Sequence, residues 1–160
     1  MPQKTPKSLS DYQKLYPKCD FKSIDAEINN IGAKLTPGQV LFHGGVWPDV
    51  ESFTTERPFS TSFCPQIALR EAEFRGKAYD FSQIDLFVLC VRQSFSNVFI
   101  YRQSGTSFGH EKEVLFSYGS ILRLNNTFLV HNRYTLGRIN NNYMREEKEV
   151  PIYVRCIEIC

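Results

Sequence analysis

Three short segments decide the fold of this chain: residues 40–45 (Val-Leu-Phe-His-Gly-Gly), 59–63 (Phe-Ser-Thr-Ser-Phe) and 111–116 (Glu-Lys-Glu-Val-Leu-Phe). Each combines aromatic or branched residues, which favour strands, with polar residues that carry chemistry. Other segments rich in Val, Ile, Phe and Tyr predict further strands along the chain. We therefore expect an α+β fold built from two packed, mainly antiparallel sheets.

Turn residues set the limits of the predicted strands. The strands are expected at residues 39–44, 58–63, 85–91, 98–102, 112–116, 120–124, 127–133 and 150–159. The run Asn125-Asn126-Thr127 is interpreted as a hairpin turn between two of them. Residues 137–149 are polar, contain an Asn run and the charged residues Glu146-Glu147-Lys148-Glu149, and are expected to form an exposed connection.

Helical patterns precede and interrupt the strands. Two short helices are expected near the amino terminus, the first with Ser10 and Gln13 as a capping box. The second is indicated by apolar residues at helical spacing, namely Ile24, Ile28, Ile31 and Leu35. A third helix should follow the second strand directly, with Pro65 in its first turn and Gly76 at its end.

Length and composition indicate one domain. A chain of 160 residues with 42% apolar side chains buries one substantial core, so residues 1–160 are expected to form a single domain with a helical segment at residues 1–36. A formal charge of +2 indicates neither nucleic acid nor an anionic membrane as a partner. The five cysteines show no paired CxxC spacing, which favours reduced thiols over a disulfide framework or a metal site. No apolar run approaches the roughly 20 residues of a membrane helix.

The three opening segments, taken in order, resemble the ADP-ribosyltransferase superfamily. In that family a first strand carries Arg or His, a second carries Ser-Thr-Ser, and a later strand carries Glu-x-Glu or Gln-x-Glu. The resemblance spans residues 39–124 and implies a compact ADP-ribosyltransferase-like domain that binds NAD+ as co-substrate in a cleft between the strands of His43 and Glu113.

The resemblance implies a role for each matching residue. The Glu113 carboxylate would hydrogen-bond a hydroxyl of the nicotinamide ribose and stabilise the positive charge that develops as the nicotinamide bond breaks. Ser60 would fix the geometry of Glu113 and of bound NAD+, and Thr61 and Ser62 would support that site. His43 would bind a ribose hydroxyl, and small Gly44 would let backbone groups approach the nicotinamide amide.

The residues expected to recognise the acceptor lie in the segment before Glu113. Glu111 lies two positions earlier, so in an extended strand it shares a side with Glu113. In the resembling family Glu at this position favours an arginine acceptor, because a carboxylate orients a guanidinium. Phe108 and His110, in the glycine-containing loop that precedes the motif, are the candidate contacts with the acceptor.

His43 departs from the pattern that usually accompanies Ser-Thr-Ser and Glu-x-Glu, where Arg stands on the first strand. His at this position resembles the diphtheria-toxin and poly(ADP-ribose)-polymerase branch. An imidazole lacks the permanent charge and forked donors that Arg offers to a diphosphate. Arg57 and Arg70 are candidate helpers, with a solvated surface role as the alternative for each.

The function predicted from these residues is mono-ADP-ribosyl transfer from NAD+ to a macromolecule, with protein arginine as the expected acceptor. Two alternatives remain open: an NAD glycohydrolase that uses water as acceptor, and a non-catalytic binding or inhibitor module on the same fold. A bacterial or phage toxin or effector fits the transferase. We expect it to act in a cytosol, either of its own cell or of a target cell reached by a specialised secretion route.

Overall fold

The computed structural model describes residues 4–74, 77–102 and 112–160. The helices in this part of the chain are α1 (Lys7–Leu15), α2 (Phe21–Ile31), α3 (Pro65–Glu73) and α4 (Lys77–Phe81). The strands are β1 (Val40–Gly45), β2 (Ser52–Thr54), β3 (Phe59–Ser62), β4 (Ile84–Val91), β5 (Val98–Ile100), β6 (Glu113–Phe116), β7 (Ile121–Ile139) and β8 (Arg145–Ile159). The predicted strands around the three opening segments are therefore present.

The strands form a sheet in the order β2-β7-β8-β4-β1-β3-β6-β5. All neighbouring pairs are antiparallel except β4 and β8, which run parallel. The expected α+β architecture with mainly antiparallel strands is confirmed. The eight strands form one hydrogen-bonded sheet. The two sheets expected from the sequence are therefore joined through the pairing of β1 with β3.

The junction between β1 and β3 is narrow. Among the described residues these strands are in register at a single pair, Phe42 with Ser62, whereas β1 pairs with β4 along its whole length. The five-strand side and the three-strand side meet in one apolar cluster, in which Leu41 and Leu89 pack with Val114 and Phe116. The fold is thus two packed halves connected through one short pairing, and the candidate site lies at that connection.

The two predicted amino-terminal helices are present and pack on the β5–β6 edge. Leu9 and Tyr12 of α1 bury their side chains with Ile24 of α2 and Leu115 of β6. The capping-box prediction was wrong, because α1 begins at Lys7 after Pro6 and places Ser10 inside the helix. Burial of Leu9 requires the earlier start.

The α3 helix follows β3 as predicted, with Pro65 in its first turn. It lies directly on β1: a Cβ added to Gly44 would stand 1.8 Å from the Ala68 carbonyl oxygen and 2.9 Å from the Ala72 Cβ. Only a residue without a side chain permits this approach. The predicted helix end at Gly76 lies outside the described residues.

The longest elements correct two sequence predictions. Residues 137–149 are not an exposed connection but the ends of β7 and β8, joined by a short turn around Asn140 and Tyr143. The Asn125-Asn126-Thr127 run lies within β7, where a register shift replaces the expected hairpin turn. Pairing of β7 with β8 buries Leu136 against Val150 and outweighs the local turn preference of the asparagines.

The sequence did not predict β2, which is three residues long and pairs with β7. The shortness of this strand leaves too few positions for an alternating pattern. In the described part of the chain, no helix is long and apolar enough to span a membrane.

Gly44→Ala tests the close approach of α3 to β1. The added methyl group would collide with backbone at Ala68, which cannot rotate away, so we expect a loss of about 1–3 kcal/mol in the free energy of unfolding. Urea denaturation measures the change. Gly137→Ala is the matched control, because its Cβ would meet only the flexible Arg145 side chain; equal destabilisation of the two variants would contradict the packing described here.

Candidate active site

Ser60 and Glu113 meet across neighbouring strands. Ser62 stands opposite Glu113 in the β3–β6 pairing, so Ser60, two residues earlier, faces the same side of the sheet. The Ser60 hydroxyl donates a hydrogen bond to Oε2 of Glu113. Two of the residues predicted for catalysis, Ser60 and Glu113, are therefore in direct contact, although 53 positions separate them in the chain.

The α1 helix supplies a second layer of contacts to this pair. The Gln13 side-chain amide donates to Oε1 of Glu113 at 3.1 Å, and the Tyr12 side chain is hydrogen-bonded to that of Ser60. Sequence reasoning missed both residues as part of the site. Tyr12 follows Leu9 at helical spacing and Gln13 was assigned to a helix cap, but neither local pattern points to a contact with Ser60 or Glu113.

Burial governs the charge of Glu113. The residue is 7% exposed, and loss of water raises the pKa of its carboxyl group because the charged form is poorly solvated. The hydrogen bonds from Ser60 and Gln13 oppose that effect and lower the pKa, whereas the negative charge of Glu71 on α3 adds to the increase. The pKa of the Tyr12 phenol lies well above its ordinary value, chiefly because of burial and then because of the Glu113 charge, so Tyr12 remains neutral.

His43 approaches the same pair from β1. Its Nδ1 lies 2.7 Å from the carbonyl oxygen of Ser60, and its ring packs on Phe59 and Phe87 with centroid separations of 4.4 and 5.0 Å. Burial lowers the pKa of His43 to about 4, so the imidazole is neutral at neutral pH. Since a carbonyl oxygen only accepts, Nδ1 carries the proton and Nε2 is left as a hydrogen-bond acceptor.

The His43 imidazole also explains why the pairing of β1 and β3 is short. Backbone groups of alternate residues face the same neighbouring strand, so Ser60, like Ser62, turns its backbone toward β1. The Ser60 carbonyl oxygen is bound there by a His43 side-chain donor rather than by a backbone N–H. By the same alternation, the backbone N–H and carbonyl of Gly44 face this opening between the strands.

The remaining hydroxyls of the Ser-Thr-Ser segment have partners within the protein. Thr61 donates to the carbonyl oxygen of Val114 at 2.8 Å on the opposite side of β3, and Ser62 accepts from the backbone N–H of Cys64 at 3.1 Å. These contacts fix β3 against β6 and the start of α3. A direct contact of Thr61 or Ser62 with cofactor stays a prediction.

The structure does not describe all of the predicted site residues. Glu111, Phe108 and His110 lie outside the described residues, and their roles stay predictions. The Arg57 guanidinium lies 5.6 Å from the Tyr16 ring centroid and 5.4 Å from that of Phe21. Arg70 lies in the last turn of α3. Within residues 4–74, 77–102 and 112–160, no three His, Cys, Asp or Glu side chains are grouped to hold a metal ion.

Sequence comparison and structure comparison give different results. No protein-family model matches the chain, and no curated protein matches its sequence. The structure is similar to ADP-ribosyltransferase Vis of Vibrio splendidus in complex with agmatine, with a TM-score of 0.51 and 13% identity, covering 88% of this chain and 56% of that one. It is also similar to the enzymatic component C2-I of the Clostridium botulinum C2 toxin, with a TM-score of 0.51 and 11% identity, covering 94% and 42%.

This chain has the ADP-ribosyltransferase fold. The family resemblance drawn from three short segments is thereby confirmed at the level of fold. The chain spans about half the length of the two similar structures.

Within the ADP-ribosyltransferase fold of this chain, His43, Ser60 and Glu113 converge where β1, β3 and β6 lie side by side. Ser60 is the central member, since its hydroxyl contacts Glu113 and its carbonyl oxygen contacts His43. The structure brings these three predicted residues together and adds Tyr12 and Gln13 to them.

The pKa of His43 predicts an acid-sensitive fold. As pH falls from 6.5 toward about 4, the unfolded chain binds a proton that the partly buried imidazole of the folded state does not bind, so stability decreases over this range. The full loss is about 3 kcal/mol, at about 1.4 kcal/mol per pKa unit. Urea denaturation at pH 7 and pH 4.5 measures it.

His43→Gln keeps an amide donor for the Ser60 carbonyl but does not titrate, so the acid-dependent loss should shrink in this variant. His131→Gln, at an exposed position of β7, is the matched control and should retain the loss of wild type. An unchanged acid dependence in His43→Gln would show that the imidazole is not held neutral by the fold.

Proposed function

We propose that the protein is a mono-ADP-ribosyltransferase that cleaves NAD+ and transfers ADP-ribose to a macromolecular acceptor. The observation that carries the proposal is the buried Glu113 carboxylate, whose two oxygens are each bound by a donor, Ser60 on one and Gln13 on the other. A buried carboxylate whose two oxygens are oriented by donors is suited to a cationic transition state.

Glu113 would stabilise the positive charge on the ribose rather than attack it as a nucleophile. The bond between nicotinamide and ribose C1′ breaks, its electron pair leaves with nicotinamide, and the ribose acquires oxocarbenium character. The ionised Glu113 accepts a hydrogen bond from a ribose hydroxyl and stabilises that positive charge. The acceptor then forms a bond to C1′ and loses a proton.

His43 and Gly44 would bind the cofactor in complementary ways. The unprotonated Nε2 of His43 accepts a hydrogen bond from a ribose hydroxyl, a role that a permanently protonated Arg cannot fill. The backbone N–H and carbonyl of Gly44 face the opening beside β3, where they match the carboxamide of nicotinamide. NAD+ is the co-substrate, and no metal is required for this chemistry.

The proposed acceptor is an arginine of a protein, with Glu111 orienting the guanidinium and Phe108 and His110 contacting the target. One observation supports this choice: the similar Vis structure holds agmatine, a small guanidinium compound. The similarity to a toxin component also supports action in the cytosol of a target cell after delivery from another cell.

Glu113→Gln tests the reaction. The substitution preserves size but removes the charge and one of the two acceptor oxygens, so we expect nicotinamide release to fall at least about 100-fold with little change in the KM for NAD+. The purified variant is incubated with labelled NAD+, with and without cell lysate. Glu51→Gln, at an exposed position, is the matched control and should retain wild-type rates.

The products distinguish transfer from the alternatives. Glu113-dependent label on a macromolecule supports the transferase, and Glu111→Gln should then reduce labelling more than nicotinamide release. Glu113-dependent nicotinamide release with only free ADP-ribose would assign a glycohydrolase instead. Equal activity of wild type and Glu113→Gln in both assays would contradict catalysis at this site.

A further inference from the structure

The α1 helix contributes a side chain to the reactive carboxylate. Gln13 donates to Oε1 of Glu113, and the contact joins residues 100 positions apart in the chain. Ser60 occupies the other oxygen, Oε2. A carboxylate oxygen offers about two acceptor directions, so each oxygen keeps capacity for a ligand after binding its protein donor.

Gln13 is held in place by the packing of its helix. Leu9 and Tyr12, four residues and one residue before Gln13 on α1, are buried against Leu115 of β6. The Tyr101 hydroxyl donates to the Leu9 carbonyl oxygen at 2.8 Å, and the Tyr101 backbone N–H donates to the Glu113 carbonyl oxygen at 3.1 Å. The same residue therefore ties α1 to the backbone of Glu113, so the Gln13 amide is positioned relative to the carboxylate it binds.

We propose that Gln13 is a positioning residue for Glu113, so that α1 forms part of the active site rather than only a cover for the sheet. The inference rests on the proposed function of Glu113 in cleaving NAD+. One donor leaves a carboxylate free to rotate about its terminal torsion, which is a soft degree of freedom. Two donors on different oxygens fix its plane and aim the remaining acceptor directions.

An amide suits this role because it donates without titrating. Within residues 4–74, 77–102 and 112–160, the other groups found to act on Glu113 are Ser60 on β3, the neutral phenol of Tyr12 on α1 and the negative charge of Glu71 on α3. His43 on β1 is neutral and bonds the backbone of Ser60. No cation is among these groups, so the charge of Glu113 depends on hydrogen-bond donors.

Gln13→Met is the decisive substitution, since it keeps the length of the side chain and removes the donor. The pKa of Glu113 should rise, because one of the two bonds that lower it is lost. The readout is the titration of the Glu113 carboxyl carbon by NMR, assigned by its absence in Glu113→Gln. Lys14→Met, at the exposed neighbouring position of α1, is the control and should leave the titration unchanged.

Kinetics provide the second readout. In Gln13→Met, kcat for nicotinamide release should fall roughly 10- to 100-fold, as expected when a catalytic group is misplaced by about 1 Å, with KM for NAD+ little changed. The acid limb of the pH profile should move to higher pH together with the Glu113 titration. If Gln13 only stabilised the helix, its substitution would lower the amount of folded protein but would change neither the acid limb of the pH profile nor the Glu113 titration.

Gln13→Glu is the second variant, in case the apolar Met perturbs folding. It keeps a polar side chain of the same length but places a like charge beside Glu113. The two carboxyl groups should therefore titrate as a coupled pair, and the second of them to ionise should do so at a higher pH. A Glu113 titration that is unchanged in both folded variants overturns the inference. Absence of Glu113-dependent activity in wild type would instead reject the proposed function, while the NMR titration still decides whether Gln13 holds the carboxylate.

Discussion

The hydrogen bonds to the Glu113 carboxylate are the interactions on which the rest of the site depends. At 7% exposure the group has lost most of its water, and an unpaired charge there would be costly. Its donors come from β3 and α1, which are distant in sequence and meet only through the packing of the sheet and the amino-terminal helices. Folding and the charge of Glu113 are therefore linked, because the core that buries Leu9 and Leu115 also assembles the donors.

The presence of His rather than Arg at position 43 changes the electrostatics around Glu113. An Arg on β1 would place a permanent positive charge near Glu113 and would lower the carboxyl pKa by attraction. The neutral imidazole supplies no such attraction, which leaves that task to the donors Ser60 and Gln13. His43 instead contributes packing between two aromatic rings, a bond that holds Ser60, and an acceptor atom.

Much of this fold was predictable because its key strands carry local signals. Aromatic and branched residues predicted β1, β3 and β6, and Pro65 marked α3. The long β7–β8 hairpin was not predictable, because asparagines that favour turns locally are overridden by cross-strand pairing. At the site, the roles of Ser60 and Glu113 could be predicted from their motifs. The role of Gln13 could not, because it arises from a contact across 100 residues that no local pattern encodes.

The most direct test of the account is a crystal structure of the protein with a non-cleavable NAD+ analogue. We expect a hydroxyl of the nicotinamide ribose within hydrogen-bond distance of the Glu113 carboxylate, with Ser60 and Gln13 still bound to it, and a second ribose hydroxyl at Nε2 of His43. An analogue bound away from the opening between β1 and β3, or a Glu113 side chain turned away from the ribose, would contradict the central claim.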